Sequence, residues 1–216
     1  MHKTKVFTLS ATLATVLAGC ASVAPAPNYD ALMADMMKAS FRDQGIAKVE
    51  RLQQDASNAE CSASEGKALP EARAKAIEAA NLATVKMPSD GKFVGDWREG
   101  EKLAQNGRGM TWTDASAGTA ANGGSCYNCH QIGKAEISFG TIGPSLANYG
   151  RLRGVADPAS PASKAIVEYT WGKLYNAKAY AACSNMPRFG NAGILNEVQL
   201  RDLMALLLDP KSPVNQ

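Results

Sequence analysis

Histidine is almost absent from this chain. The 216 residues contain two, His2 and His130, and His2 lies in a segment that the sequence predicts to be removed on export. His130 would then be the only histidine of the mature protein. Structural zinc sites take four Cys or His ligands, so the pair Cys126 and Cys129 beside His130 has few partners for such a site. Ligation of one metal by two histidines of this chain is excluded.

A strong excess of charge is also lacking. The chain has 23 Lys and Arg against 20 Asp and Glu, a formal charge of +3. Two of the lysines, Lys3 and Lys5, lie in the predicted export signal, and their removal lowers the charge from +3 to +1. Composition therefore gives no argument for nucleic-acid binding. With 45% hydrophobic residues, the chain has the composition of a soluble globular protein of one or two domains.

The apolar run near the start, residues 6–18, is too short to span a bilayer comfortably. It follows five residues with two lysines, which is the layout of an export signal. Residues 17–20, Leu-Ala-Gly-Cys, resemble the lipobox of bacterial lipoproteins, in which the cysteine is acylated. We predict a signal peptide over residues 1–19, lipidation at Cys20, and a periplasmic protein anchored through that lipid. The alternative is a plain signal cleaved near residues 24–26, with Cys20 discarded.

Residues 126–130 read Cys-Tyr-Asn-Cys-His, the spacing at which haem is attached covalently to protein. The thiols of Cys126 and Cys129 would reach the two vinyl groups of one porphyrin, and His130 would bind the iron. Attachment of this kind is completed outside the cytoplasm, in agreement with the export signal. We therefore predict one covalently bound haem c. A redox dithiol or a zinc half-site is the alternative.

Five cysteines are present in all. Cys20 is assigned to the lipobox and Cys126 and Cys129 to haem, which leaves Cys61 and Cys183. An oxidising periplasm favours a disulfide between these two. A bond to a partner chain and a catalytic thiol are the alternatives.

Helical patterns dominate the remaining sequence, so the predicted fold class is all-α. Residues 29–54 space their apolar side chains by three and four, with methionines expected in the core, and residues 70–85 are rich in alanine. Residues 96–107 predict a helix that begins at Asp96 and stops at Gly107. A last helix runs over residues 196–208 until Pro210 ends it. We divide the chain into a tether (20–28), a helical N-terminal extension (29–92) and a haem domain (93–216).

Above the iron, the candidate ligands that follow the motif are Met186, Met204 and Cys183. Met204 falls on the apolar face of the last helix, so a structural role is expected for it. Met186 lies in a loop-like run and precedes Pro187. We predict ligation by His130 and Met186, a pair that stabilises ferrous haem.

These segments resemble class I cytochromes c. In that family a small residue, matched by Gly100, lets the first helix cross the last one closely. A Gly-Pro-x-Leu element, matched by residues 143–146, places a proline carbonyl on the proximal histidine, which implies a contact between Pro144 and His130. A Met-Pro loop supplies the distal thioether. Residues 108–125, inserted before the haem motif, depart from the family pattern.

A narrower resemblance is to SoxX, the monohaem subunit of the periplasmic SoxXA complex, and it covers residues 93–209. It depends mainly on residues 183–190, Cys-Ser-Asn-Met-Pro-Arg-Phe-Gly. The resemblance implies a SoxA-type catalytic partner, whose haem has cysteine-based ligation. That partner forms the site where thiosulfate is oxidatively joined to a cysteine of the SoxYZ carrier, an L-cysteine S-thiosulfotransferase reaction. This chain would pass the electrons to a cytochrome c acceptor and contain no catalytic nucleophile.

Two other functions stay open on sequence grounds. One is a stand-alone periplasmic class I cytochrome c that shuttles electrons for another redox enzyme, and the other is a haem sensor. Arg188, next to the ligand loop, is expected either to border an exposed haem edge or to pair with a haem propionate.

Overall fold

The computed structural model describes residues 26–216. The predicted signal peptide, Cys20 and most of the predicted tether lie outside these residues. Within them the chain forms seven α-helices, short 3-10 turns and no strand, apart from one isolated bridge between Gln44 and Ala47. The predicted all-α class is confirmed. None of the helices in this range is long and apolar enough to cross a membrane.

The helices are α1 (Tyr29–Ser40), α2 (Ala56–Ala63), α3 (Glu71–Leu82), α4 (Trp97–Gln105), α5 (Tyr149–Leu152), α6 (Lys164–Tyr175) and α7 (Glu197–Leu208). The described residues divide into two compact units. One ends at Phe41 and contains α1, and the other extends over Arg42–Gln216. Helices α2 and α3, which the sequence assigned to the N-terminal extension, belong to the same unit as the residues that follow them.

Helix α1 begins at its cap, where the Asn28 side chain accepts a hydrogen bond from Ala31 N at 3.1 Å. None of its residues is buried. Met33 and Met36 are more than half exposed. For these two residues, the prediction that the methionines of residues 29–54 lie in a core is wrong. Among the described residues of its unit α1 is the only helix, so its apolar side chains have no second helix there on which to pack.

Helices α4 and α7 form the closest helix pair of the larger unit. Asp96 caps α4, as predicted, and Asn196 caps α7 with a full capping box, which the sequence analysis did not predict. A Cβ atom placed on Gly100 of α4 would lie 2.1 Å from Asp202 O of α7. The two backbones therefore touch at a residue without a side chain, and the predicted crossing at Gly100 is confirmed. Met204, also in α7, is fully buried, as expected for a structural residue.

Polar contacts join α3 to α6 and to the turn that follows it. Asn176 is fully buried, and its Nδ2 donates to Asn81 Oδ1 at 3.0 Å and to Thr84 Oγ1 at 2.9 Å. Trp171 Nε1 donates to Lys86 O at 2.8 Å, and its ring packs edge-on against Phe93. Because buried polar groups cost stability unless they are paired, this satisfied network fixes α3 against the rest of the larger unit.

Candidate haem site

The cysteine and histidine motif forms one tight turn. Residues Cys126–Asn128 are a 3-10 turn, which Ser125 introduces in the left-handed conformation with φ of +50°. The amides of Cys129 and His130 both donate to Cys126 O, at 3.1 and 2.9 Å. The backbone therefore holds Cys126, Cys129 and His130 within a single turn.

Both thiols of the motif are free, and they are not bonded to each other. Burial raises the pKa of Cys126 to about 12. Reactive dithiols need a lowered pKa, because the thiolate is the nucleophile. The environment of Cys126 therefore disfavours the redox-dithiol alternative and suits a thiol that becomes a thioether.

The His130 ring is held on one side by backbone. Its Nδ1 lies 2.7 Å from Pro144 O. This is the contact that the resemblance to class I cytochromes c implies. A Cβ atom on Gly143 would lie 2.1 Å from His130 Cε1, so the ring lies directly against that glycine. A carbonyl accepts only from a protonated nitrogen, which assigns the proton to Nδ1 and leaves the Nε2 lone pair for a metal.

Tyr127, inside the motif, ties the turn to α4. The Tyr127 hydroxyl donates to Glu101 Oε1 at 2.9 Å and accepts from Gly133 N at 3.0 Å. Burial raises the pKa of Tyr127, and the neighbouring Glu101 raises it further. Sequence reasoning missed Glu101, because nothing in the spacing along α4 marks it as a partner of the motif.

The predicted pair Cys61 and Cys183 forms a disulfide, with Cα atoms 5.5 Å apart. This confirms the pairing and removes the alternatives of a free catalytic thiol and a bond to a partner chain. Cys183 begins the loop that carries Met186, and α2 carries Cys61. The helical extension is therefore linked covalently to the loop that carries Met186.

Met186 is half-buried and packs against the buried hydrophobic cluster of the larger unit. Cys126 packs against the same cluster, as do residues of α7. The structure thus brings Cys126, Cys129, His130 and Pro144 together in one place. Cys61, Cys183 and Met186 line one cavity, where the loop between α6 and α7 meets α2.

Arg188 pairs with an acid of this protein. Its guanidinium forms an ion pair with Asp55 Oδ2, while Asp55 Oδ1 accepts from Asn58 N at 2.8 Å and caps α2. Burial would raise the pKa of Asp55, but the Asn58 amide and Arg188 outweigh it and hold the pKa below its ordinary value. Arg188 thus links the loop that carries Met186 to α2, and its expected place at a haem edge or on a propionate stays a prediction.

The available side chains fit a c-type haem better than a metal ion held by protein alone. Among residues 26–216 no group of three or more His, Cys, Asp or Glu side chains could hold a metal ion, and zinc requires such a group. A porphyrin supplies nitrogen ligands to its iron. It needs from the protein two unpaired thiols and axial ligands, which Cys126, Cys129, His130 and Met186 can supply.

No family model matches the chain. A protein of Aquifex aeolicus (strain VF5), described as an uncharacterized lipoprotein, is 39% identical over 134 residues, which is 62% of this chain. The chain spans 59% of the length of that relative.

Proposed function

We propose that this protein is a monohaem c-type cytochrome of the bacterial envelope, with a class I cytochrome c domain, whose role is electron transfer. The observation that carries the proposal is the 2.7 Å contact of His130 Nδ1 with Pro144 O, adjacent to the unpaired thiols Cys126 and Cys129. This contact fixes the ring orientation and directs the other nitrogen to a metal.

The residues have distinct parts in this function. Cys126 and Cys129 would hold the haem covalently, His130 Nε2 and the Met186 thioether would bind its iron, and Pro144 orients the His130 ring. When bound, the haem supplies a one-electron couple whose reduced state the thioether favours. The buried cluster behind Cys126 and Met186 keeps water from that side of the site.

The sequence of the Met186 loop supports a narrower assignment, to the SoxX-type subunit of a thiosulfate-oxidising SoxXA complex. With Cys61 and Cys183 bonded, and Cys126 and Cys129 assigned to haem, no cysteine within residues 26–216 is left for covalent sulfur chemistry. Conjugation of thiosulfate to the SoxYZ carrier would therefore belong to a SoxA-type partner. This chain would carry the released electrons to a cytochrome c acceptor.

The description of the Aquifex relative as a lipoprotein supports the lipobox assignment. We therefore include acylation of Cys20 in the proposal, with the body of the protein in the periplasm. Mass spectrometry of the mature N-terminus is expected to find a lipidated cysteine as the first residue.

Native purification tests the subunit assignment. The tagged protein, isolated from its host grown on thiosulfate, is expected to copurify in equal amount with a second c-type cytochrome. That partner should show the electron paramagnetic resonance of a cysteine-ligated haem. Isolation as a lone monohaem monomer would contradict the assignment and favour the stand-alone shuttle.

Replacing the predicted distal ligand tests the haem site. Met186→Ala is expected to abolish the near-infrared thioether-to-iron charge-transfer band of the ferric protein, because the axial ligand sets the electronic state of the haem. Met204→Leu is the matched control, since it removes the other thioether that follows the motif at a buried position in α7 and should keep the band. A band that survives in Met186→Ala would refute this ligand assignment.

A further inference from the structure

The loop that carries Met186 is tied to α2 on both sides of the methionine. Three residues before Met186, Cys183 is bonded to Cys61 of α2. Two residues after it, Arg188 pairs with Asp55, the cap of the same helix. One short helix thus constrains both flanks of the predicted distal ligand.

Contacts within the loop are local. Ser184 N donates to Ala181 O at 2.9 Å, Met186 N donates to Ser184 Oγ at 3.2 Å, and Pro187 has no amide hydrogen. These bonds shape the segment around Met186, but they do not attach it to another part of the molecule.

A cavity of about 920 Å³ separates much of the loop from α2 and α3. Met186, Arg188, Asn58 and Glu78 are among the residues that line it. Side chains that face such a cavity lack protein contacts on that side. The disulfide and the ion pair therefore connect the loop and α2 across a region where close packing does not.

Helix α2 is itself fixed. Arg73 of α3 donates to both carboxylate oxygens of Glu60 in α2, at 2.7 and 2.8 Å. Glu78 of α3 also accepts from Ala182 N, just before the loop, at 3.2 Å. With α3 held by the Asn176 network, α2 is a support that does not move freely with the loop.

We propose that α2 is a brace for the distal ligand, and that Cys61, Cys183, Asp55 and Arg188 are positioning residues for the Met186 thioether. This inference rests on the proposed haem ligation by Met186. A loop freed from α2 gains conformations in which the thioether is away from the iron. An external ligand then competes with Met186 more easily, because its apparent affinity scales with the open fraction.

Imidazole titration of the ferric holoprotein measures that open fraction, with loss of the thioether band as the signal. The double variant Cys61→Ser, Cys183→Ser is expected to bind imidazole at least about tenfold more tightly than the wild type, since the disulfide restricts the freed loop. Asp55→Asn keeps a side chain that caps α2 and removes only the ion pair, so we expect a change of about twofold. Glu99→Gln is the control, because it breaks an exposed ion pair with Lys102 on α4 and should leave the affinity unchanged.

The outcomes are distinct. A wild-type holoprotein without the thioether band would refute the haem ligation itself. If the wild type shows the thioether band and the double cysteine variant binds imidazole with unchanged affinity, the proposal that α2 positions Met186 is overturned. A fall in the thermal midpoint of the variant would not rescue it, since a purely structural disulfide gives the same fall. Should the double variant fail to mature, reduction of the purified wild-type holoprotein with a phosphine makes the same comparison.

Discussion

Gly143→Ala is expected to displace the His130 ring and to convert most of the ferric protein from low-spin to high-spin haem. The added Cβ would lie 2.1 Å from Cε1, 2.5 Å from Nδ1 and 2.7 Å from Nε2 of His130, all closer than non-bonded atoms approach. The backbone cannot retreat freely, because Gly143 N donates to Cys129 O at 2.8 Å. Overpacking of this kind costs about 1–3 kcal/mol, and loss of the bond to Pro144 O adds about 1 kcal/mol.

Spin state by magnetic circular dichroism and haem content per polypeptide are the measurements. Gly107→Ala is the matched control, because its Cβ would meet only Ser125 Oγ at 3.2 Å and Ser125 Cβ at 3.9 Å. That site lies close to the same motif, and the hydroxyl can rotate away. A wild-type low-spin spectrum in Gly143→Ala would show that the His130 ring does not lie against residue 143.

The helices that the sequence predicted are those with local signals. Helix α4 extends over Trp97–Gln105 between its cap Asp96 and the predicted stop, and α7 begins after Asn196 as its capping box requires. Caps and apolar spacing act over a few residues, so they can be read without knowing the fold. Helix α3 was predicted from alanine content and Pro70, which is its cap.

Three helices were missed, α2, α5 and α6, and the formation of α2 and α6 depends on tertiary contacts. Helix α2 has the sequence Ala-Ser-Asn-Ala-Glu-Cys-Ser-Ala, which lacks an apolar stripe. Its position is fixed by the disulfide and by ion pairs to distant residues. Helix α6 buries Val167 and Trp171 on one face together with the polar Thr170, while the aromatic Tyr169 is exposed on the opposite side. The apolar periodicity that marks an amphipathic helix is therefore weak in its sequence.

The candidate site shows the same division. The turn at residues 126–130 is local, and its spacing identifies it. The Cys61–Cys183 bond could be predicted by elimination, since the other cysteines had assignments. The contact between Asp55 and Arg188 joins residues 133 positions apart, and the contact between Tyr127 and Glu101 joins two helical segments. Neither has a signature in the sequence, because each exists only once the chain has folded.

Gly100→Ala is expected to destabilise the protein, although alanine is the better helix former. In an isolated helix the exchange would stabilise by about 1 kcal/mol. Here the Cβ would lie 2.1 Å from Asp202 O and 2.7 Å from Asp202 C, and backbone atoms cannot rotate out of the way as a side chain can. An overpacking cost of about 3 kcal/mol therefore outweighs the gain and leaves a net loss of about 2 kcal/mol.

The crossing of α4 and α7 cannot relax by sliding, because hydrogen bonds hold the start of α4 to α7. Gly95 N donates to Arg201 O at 2.9 Å, and Asp96 N donates to Asp202 Oδ1 at 2.8 Å. Relief of the clash at residue 100 would break these bonds, so the strain remains at the crossing. The thermal midpoint of the holoprotein should fall by about 4–8 °C, measured by circular dichroism beside Gly107→Ala, which should leave it unchanged. A midpoint for Gly100→Ala equal to or above the wild type would mean that helix propensity dominates, and that α4 and α7 are farther apart at Gly100 than the structure places them.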